Sequence, residues 1–428
     1  MSHSNDFASR GDSVLSPVLA HYTRINIASG KGSYLYDVND REYLDFTAGI
    51  AVASTGHCHP DVVEAIQKQA ETLIHACAGV VYYGPNVELA ERLGGLLDYN
   101  LKSCFFTQSG TEAIEACLKM AKYVTKKYKV LAFRGGFHGR TMGSLSTTSS
   151  KDKYRDGFGP MVEGVSFFPY PYAYRSPWES TPDTFDDVAV SQLEAYFDTL
   201  GDDYAAAIIE PIMGEGGYVP ASSAFLKALR RLCSQKGMLL IFDEIQTGMG
   251  RTGDWFNFHH HDVIPDIIAI AKGIASGLPL GACISTPELM AKFSPGAHGG
   301  TYGGNPVCCQ AAIATIDVLT GCIHDIPRKS QLAFSQLRHQ LDGHPNVGDI
   351  RGQGLMIGVE VVKELGTKDP APELTQRIMT MAAEQGLLIV SCGIYGNVLR
   401  IMPPLTISDE ELASGLSILV SVFDECRS

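Results

Sequence analysis

No stretch of this 428-residue chain approaches the roughly 18 consecutive apolar residues that a membrane-crossing helix needs. The N-terminus also lacks an apolar segment. Met1 to Ser13 is polar, so no secretory leader is expected. Positive charge is in deficit: 34 Lys and Arg stand against 47 Asp and Glu, a formal net charge of −13. A general nucleic-acid binder needs a basic surface to neutralise phosphates, so that class is disfavoured. The 11 cysteines contain no Cys-x-x-Cys. An odd set of scattered thiols reads as the reduced side chains of a cytoplasmic protein, not as a disulfide framework. Internal repeats and low-complexity linkers are missing as well.

What remains is an ordinary globular composition, 45% hydrophobic and 19% charged. The length allows a large core and suggests two or three domains. Residues 34–46 read as two short strands around the turn Asn39-Asp40. From about 85 to 285, short apolar runs alternate with helical patterns. The runs lie at 103–106, 130–133, 164–168, 205–209, 238–242, 267–270 and 282–285. Between them, residues 112–125 place Ile114, Cys117, Leu118 and Ala121 on one helical face. Residues 222–235 do the same with Phe225, Leu226, Leu229 and Leu232. Such alternation predicts an α/β fold with a mostly parallel sheet covered on both faces. After about 310 the pattern changes to a long helix, a strand at 355–361, a helix near 372–385, strands at 387–391 and 398–402, and a final helix. These predict a smaller α+β domain at 311–428. The large domain is then 61–310, and the N-terminal segment 1–60 packs with the small domain.

Lys272 ends the buried run that begins at Asp266. Desolvation at such a place lowers an amine's pKa, and a neutral amine is what a Schiff base with an aldehyde requires. Taken alone, Lys272 is better explained as a strand-end lysine that snorkels to solvent. Asp243 ends another buried run, 238–242, and both residues then lie at the carboxyl ends of strands, where open parallel sheets bind ligands. A third segment, Phe105 to Ala113, runs from strand into helix. There Ser109, Gly110 and Thr111 offer N–H groups and hydroxyls to a phosphate at the positive end of the helix. An ordinary N-cap with Glu112 in the first turn is the plain alternative. Phe137 is a candidate to stack on an aromatic ring. Amine, buried carboxylate, anion cradle and ring together suit pyridoxal 5'-phosphate (PLP), whose ring nitrogen must stay protonated to act as an electron sink.

In these motifs the chain resembles the class-III (ω-amino-acid) aminotransferases of PLP fold type I, and within them the 4-aminobutyrate branch. The motifs are Gly56-His-Cys-His-Pro60, Ser109-Gly-Thr-Glu-Ala113, Phe137-His-Gly-Arg140, Glu210-Pro-Ile-Met-Gly-Glu-Gly-Gly217, Phe242 to Gly253, Lys272-Gly, and Gly300-Thr-Tyr-Gly-Gly-Asn-Pro306. Each is weak alone; the ordered set is specific. The resemblance implies that Lys272 carries the cofactor and shuttles the proton, and that Asp243 pairs with the ring nitrogen. It implies that Gln246 contacts the ring oxygen, that Ile245 packs opposite Phe137 beside His138, and that Ser109, Gly110 and Thr111 hold the phosphate. Thr301 is implied to reach the phosphate from the neighbouring subunit of a homodimer, or of a tetramer built from it.

For substrates, the same resemblance implies that Arg400 takes the α-carboxylate of 2-oxoglutarate or glutamate. Arg140 takes the far carboxylate, or the single one of 4-aminobutyrate. It further implies that Glu215 covers Arg400 when the donor has no α-carboxylate, and that Glu210 and Ile50 lie around the substrate. Two arginines suit two carboxylates because each guanidinium can pair with both oxygens. A buried mid-strand Arg400 is hard to explain as a surface salt bridge. The sequence departs from the branch at Phe137, Gly396 and Met402-Pro403, which leaves the donor open. Acetylornithine, ornithine, lysine and 5-aminovalerate aminotransferases and amino-acid racemases share the cofactor motifs.

Other patterns carry less. Gly248 to Gly253 satisfies the glycine pattern of a dinucleotide site, with Asp266 near the acidic position, but Asp243 to Thr247 separates strand from glycines. His57-Cys58-His59 and His259-His260-His261 lack a second ligand cluster with zinc spacing, so no metal is expected. Cys308-Cys309 reads as a pair of small buried hydrophobes.

Overall fold

The computed structural model describes residues 6–427; residues 1–5 of the polar N-terminus, and residue 428, lie outside the described residues. Near the N-terminus come β1 (Ile27–Lys31), β2 (Tyr34–Asp37) and β3 (Glu42–Asp45). Then follow β4 (Ser103–Thr107), β5 (Lys129–Arg134), β6 (Val165–Pro169) and β7 (Tyr204–Ile209), a small hairpin of β8 (Ile212–Met213) and β9 (Val219–Pro220), and β10 (Leu239–Asp243), β11 (Ile267–Ile270) and β12 (Gly281–Ser285). Seven of these form one sheet in the order β4-β12-β11-β10-β7-β5-β6. The run from β11 to β6 is parallel, and β12 opposes both its neighbours. This mostly parallel α/β sheet is the one its apolar runs predict.

Its two faces explain those runs. Ile208, Ile241, Ile267 and Ala269 pack on one side with Ala113, Ile114, Cys117 and Ala121 of the helix Gly110–Thr125. Their strand neighbours Ile209, Phe242, Ile268 and Ile270 face the opposite core, shared with Phe225, Leu226 and Leu229 of the helix Ser223–Lys236. Since both faces are covered, alternation disappears from the sequence. Burying each large apolar side chain contributes roughly 1.5–3 kcal/mol. Ser109 and Ser222 cap the two helices by accepting the N–H groups of Glu112 and Phe225.

Beyond residue 340 the strands are β13 (Val347–Gln353), β14 (Met356–Val361), β15 (Leu387–Leu388), β16 (Val390–Cys392) and β17 (Val398–Ile401). They form a sheet β13-β14-β17-β16, while β15 joins the N-terminal sheet β1-β2-β3-β15. Three expectations are corrected here. The segment 387–391 is two strands, because the chain changes sheets at Ile389: Leu387 pairs with Leu44, and Val390 with Arg400. The long helix after 310 is two helices, Pro306–Thr320 and Ile326–Leu341, with Pro327 in the first turn of the second. Strands β1 and β13 were not expected, since both are largely polar and show no apolar alternation. Among the described residues no single helix is long and apolar enough to cross a membrane. The helix Pro306–Thr320 and the helical segment Ile323–Leu341 reach that length only as a pair bent by 47°.

Candidate active site

Five parallel-running strands deliver their carboxyl ends to one cavity of about 440 Å³. Strand β10 ends in Asp243, β11 leads through Ala271 to Lys272, and β7 leads to Glu210. Strand β4 passes through Gln108 and Ser109 into a helix, and β5 turns at Gly135-Gly136 into Phe137 and His138. Lys272 sits in the left-handed region at φ 47°, a conformation that costs a non-glycine residue about 1–2 kcal/mol. Among the described residues its amine makes no hydrogen bond or ion pair. Burial pushes the amine's pKa down, with Asp243 and Glu210 pulling the other way. The neutral form is therefore closer at hand than in an exposed lysine.

Asp243 is 4% exposed. One of its oxygens lies 2.8 Å from Nδ1 of buried His138, and the other accepts the Ile245 N–H at 3.1 Å. At the start of the helix Gly110–Thr125, the N–H groups of Gly110 and Thr111 have no protein acceptor among the described residues. The Thr111 hydroxyl bonds Ser144 Oγ at 2.6 Å and Thr141 Oγ1 at 2.9 Å. Gly139 backs this cradle at φ 126°, and a Cβ there would stand 2.3 Å from Thr111 Oγ1. Phe137 and Ile245 form apolar walls. Gln246 is buried and accepts the Tyr218 hydroxyl at 2.6 Å.

Glu210 also lines the cavity. Both its oxygens are taken by backbone: Phe137 N–H and Gly214 N–H each donate at 2.8 Å. It thereby braces two loops against each other rather than offering a free oxygen. Burial pushes its carboxyl up to about 7 against the opposing pull of His138.

A second group lies beside the first. Glu215 pairs with Arg400 at 3.1 Å and with Lys151 at 2.7 Å, and accepts the Tyr154 hydroxyl at 3.0 Å. Burial pushes the Glu215 carboxyl up, but Arg400, Lys151 and Tyr154 outweigh it and hold the group below its usual value. Arg400 donates to Ser391 O at 2.8 Å, and its buried Nε has no partner among the described residues. Arg140 lies over the Tyr154 ring, 4.3 Å from its centre.

Ser109, Gly110, Thr111, Phe137, His138, Arg140, Glu210, Glu215, Asp243, Ile245, Gln246 and Lys272 thus line one cavity, and Arg400 joins them through Glu215. Ile50, expected around the substrate, is not in the cavity of this chain, and Thr301, expected to reach the neighbouring subunit's site, is not in it either. Ile50 is 41% exposed in a left-handed turn, and Val52 lines the wall instead. Thr301 is exposed and outside the lining. Lys151 and Tyr154 were not foreseen, since they lie on a polar loop without a motif. The glycine-rich segment 248–253 serves packing: Arg251 binds the carbonyls of Leu355 and Pro403, and Asp266 is spent on Arg230 and the Leu240 N–H. His57 bonds Asp45, and His261 bonds Ser223 and Asn257. Cys308 and Cys309 are buried free thiols.

The class-III aminotransferase family model matches residues 16–423. The chain belongs to the class-III aminotransferases. A probable 4-aminobutyrate aminotransferase of Bacillus subtilis is 37% identical over 413 residues, 95% of each chain. The 5-aminovalerate aminotransferase DavT of Pseudomonas putida is 41% identical over 407 residues, 94% of each chain. Among solved structures, an (S)-enantioselective ω-transaminase from Thermomicrobium roseum superposes with a TM-score of 0.92 at 30% identity, covering 100% of this chain and 99% of that one. A PLP-bound amine transaminase from an uncultivated Pseudomonas species gives 0.90 at 30% identity, covering 96% and 98%. The fold is therefore PLP fold type I.

Class-III aminotransferases use PLP, and the residues present fit it. Two free N–H groups at a helix start suit its phosphate. An unpaired, half-buried amine suits its aldehyde, and a buried carboxylate suits its pyridine nitrogen. The glycine at 139 leaves room that a Cβ would fill.

Proposed function

We propose that this class-III aminotransferase moves the amino group of an ω-amino acid, first of all 4-aminobutyrate, to 2-oxoglutarate, giving succinate semialdehyde and glutamate. One observation carries the donor class: Glu215 neutralises Arg400 at 3.1 Å. An arginine covered in this way suits a donor whose amine-bearing carbon has no carboxylate. An acceptor with an α-carboxylate takes the Arg400 place in the return half of the cycle.

When bound, PLP supplies an aldehyde that condenses with amines and a protonated ring that takes up electrons from the carbon being deprotonated. The chain's own residues do the rest. Lys272 would hold the cofactor and, as its amine is released, would carry the proton from the amine-bearing carbon of the donor to the cofactor. Asp243, fixed by His138, would keep a proton on the ring nitrogen. Gly110 and Thr111, with Ser109 beside them, would hold the phosphate, Phe137 and Ile245 would confine the ring, and Gln246 would meet its oxygen. Arg140 receives the carboxylate remote from the amine, and Glu210 braces the loop that carries Phe137.

A homodimer is part of the reading. Ile74, Val80, Tyr82 and Tyr302 are large, apolar or aromatic, and more than half exposed. Their cover by a second copy would bring Thr301 to the neighbouring site. The 11 free cysteines support a reducing, cytoplasmic setting.

The visible absorption of the purified holoenzyme tests the reading. Addition of 4-aminobutyrate alone bleaches the yellow band, and 2-oxoglutarate restores it. A band indifferent to 4-aminobutyrate but bleached by 5-aminovalerate or acetylornithine moves the donor to those compounds. Activity on one amino acid without any 2-oxo acid points to a racemase.

A further inference from the structure

The Glu215 carboxylate is divided between two cations. Its Oε1 takes Lys151 Nζ at 2.7 Å and the Tyr154 hydroxyl at 3.0 Å, while Oε2 takes Arg400 at 3.1 Å. Two parts of this cluster have anchors outside it. Arg400 is tied to Ser391 O at 2.8 Å, and the Glu215 main-chain carbonyl accepts the Gly393 N–H at 2.9 Å. Among the described residues the Glu215 side chain is held only by Lys151, Tyr154 and Arg400. Lys151 and Glu215 are 14% and 13% exposed at the side chain, and Arg400 is 2% exposed. A carboxylate cut loose in such surroundings would be costly, because water is not there to solvate it.

We propose that Lys151 and Tyr154 form a second docking position for Glu215 and so determine how readily the site admits a dicarboxylate. The proposal rests on the reading of Arg400 as the α-carboxylate site. With an ω-amino donor, Glu215 bridges Lys151 and Arg400. With 2-oxoglutarate or glutamate, the substrate carboxylate takes Arg400, and Glu215 stays neutralised on its Oε1 side. Lys151 thus removes the penalty of displacing Glu215, and it also competes with Arg400 for that carboxylate. Both effects favour the dicarboxylate and leave the donor half nearly indifferent. Burial alone would lower the Lys151 pKa, but Glu215 outweighs it and keeps the ammonium charged. Tyr154 links this position to the other carboxylate site, since its ring carries Arg140 and meets Phe137 edge-on at 5.7 Å. Lys151 and Tyr154 are positioning residues: they act through Glu215 and Arg140.

The test is a pair of KM values, donor and acceptor, for the holoenzyme and for Lys151→Met. The variant should raise the KM for 2-oxoglutarate about tenfold or more, as expected for an uncompensated buried carboxylate, while the donor KM moves far less. Lys151→Arg should restore most of the loss. Tyr154→Phe, which removes only the hydroxyl, should shift the ratio the same way by less. If Lys151→Met fails to fold or to hold the cofactor band, Lys151→Gln and Tyr154→Phe carry the comparison. An equal change in both KM values, or no change in either, overturns the proposal. A wild-type enzyme that accepts no ω-amino donor is a different failure: it removes the functional reading itself, before any variant is made.

Discussion

His138 Nδ1 lies 2.8 Å from a carboxylate oxygen of Asp243, and both side chains are buried. The ring holds the carboxylate in place, and the Ile245 N–H at 3.1 Å fixes the other oxygen. Asp243→Asn preserves the shape and removes the charge that would hold a proton on the cofactor nitrogen. The variant should bind PLP and fold, with kcat reduced about 10²–10³-fold, the usual cost of losing one preorganised electrostatic partner. Turnover alongside the visible spectrum checks it. His138→Leu, which only unpins the carboxylate, should cost less.

Gly139 and Gly110 make a contrasting pair. At Gly139 the backbone is at φ 126°, and a Cβ would press on Thr111 Oγ1 at 2.3 Å and Ser144 Oγ at 2.6 Å. At Gly110 the nearest atom is Ile245 Cδ1 at 3.0 Å, the end of a flexible side chain. Gly139→Ala should therefore displace Thr111 at a cost of about 1–3 kcal/mol, which is about 5- to 150-fold if it falls on PLP affinity. Gly110→Ala should lose much less. Titration of cofactor-free protein with PLP, followed by absorbance, separates the two.

The central sheet was legible because its strands are buried on both faces: Ile267 to Ile270 are all fully buried and read as an unbroken apolar run. Lys272 and Asp243 stood out for the same reason, as ionisable residues at the ends of such runs. Strand β13 was not legible, since Gly348, Asp349 and Arg351 interrupt any alternation. The break at Ile389 has no local signal either, because the choice of sheet is made by partners far away in the chain. Lys151 and Tyr154 are the instructive omission. They meet Glu215 across 64 and 61 residues, and their loop carries no pattern beyond its polarity. Long-range ion pairs of this kind are tertiary facts.

Glu210 predicts a pH dependence of stability. Its carboxyl is pushed up to about 7 by burial, from an ordinary value of 4.5. Between these values the folded protein binds more protons than the unfolded chain, so this contribution is fully present below about 4.5 and is lost as pH rises through about 7. The loss is on the order of 3 kcal/mol. Thermal unfolding of the cofactor-free protein should show Tm falling across that window. Glu210→Gln removes the titration but sets an amide NH₂ against one of the two N–H donors, at about 1–3 kcal/mol. Its Tm should be lower at pH 5 and flatter from pH 5 to 8.

The two arginines should fail in different ways. Arg140 lines the cavity from an exposed position and rests on the Tyr154 ring. On the proposed reading it meets a carboxylate in both halves of the cycle, so Arg140→Met should raise the KM of donor and acceptor together. Arg400 is buried and reaches the cavity only through Glu215. Arg400→Met leaves Glu215 neutralised by Lys151 while depriving a dicarboxylate of its α-carboxylate partner. Its effect should fall on 2-oxoglutarate and glutamate, at about 2 kcal/mol or more, roughly thirtyfold in KM. Half-reactions followed by absorbance separate the cases, since the donor half alone bleaches the band and the acceptor half alone restores it. If Arg400→Met weakened 4-aminobutyrate as strongly as 2-oxoglutarate, Arg400 would be serving the carboxylate common to both substrates, and the roles of the two arginines would have to be exchanged.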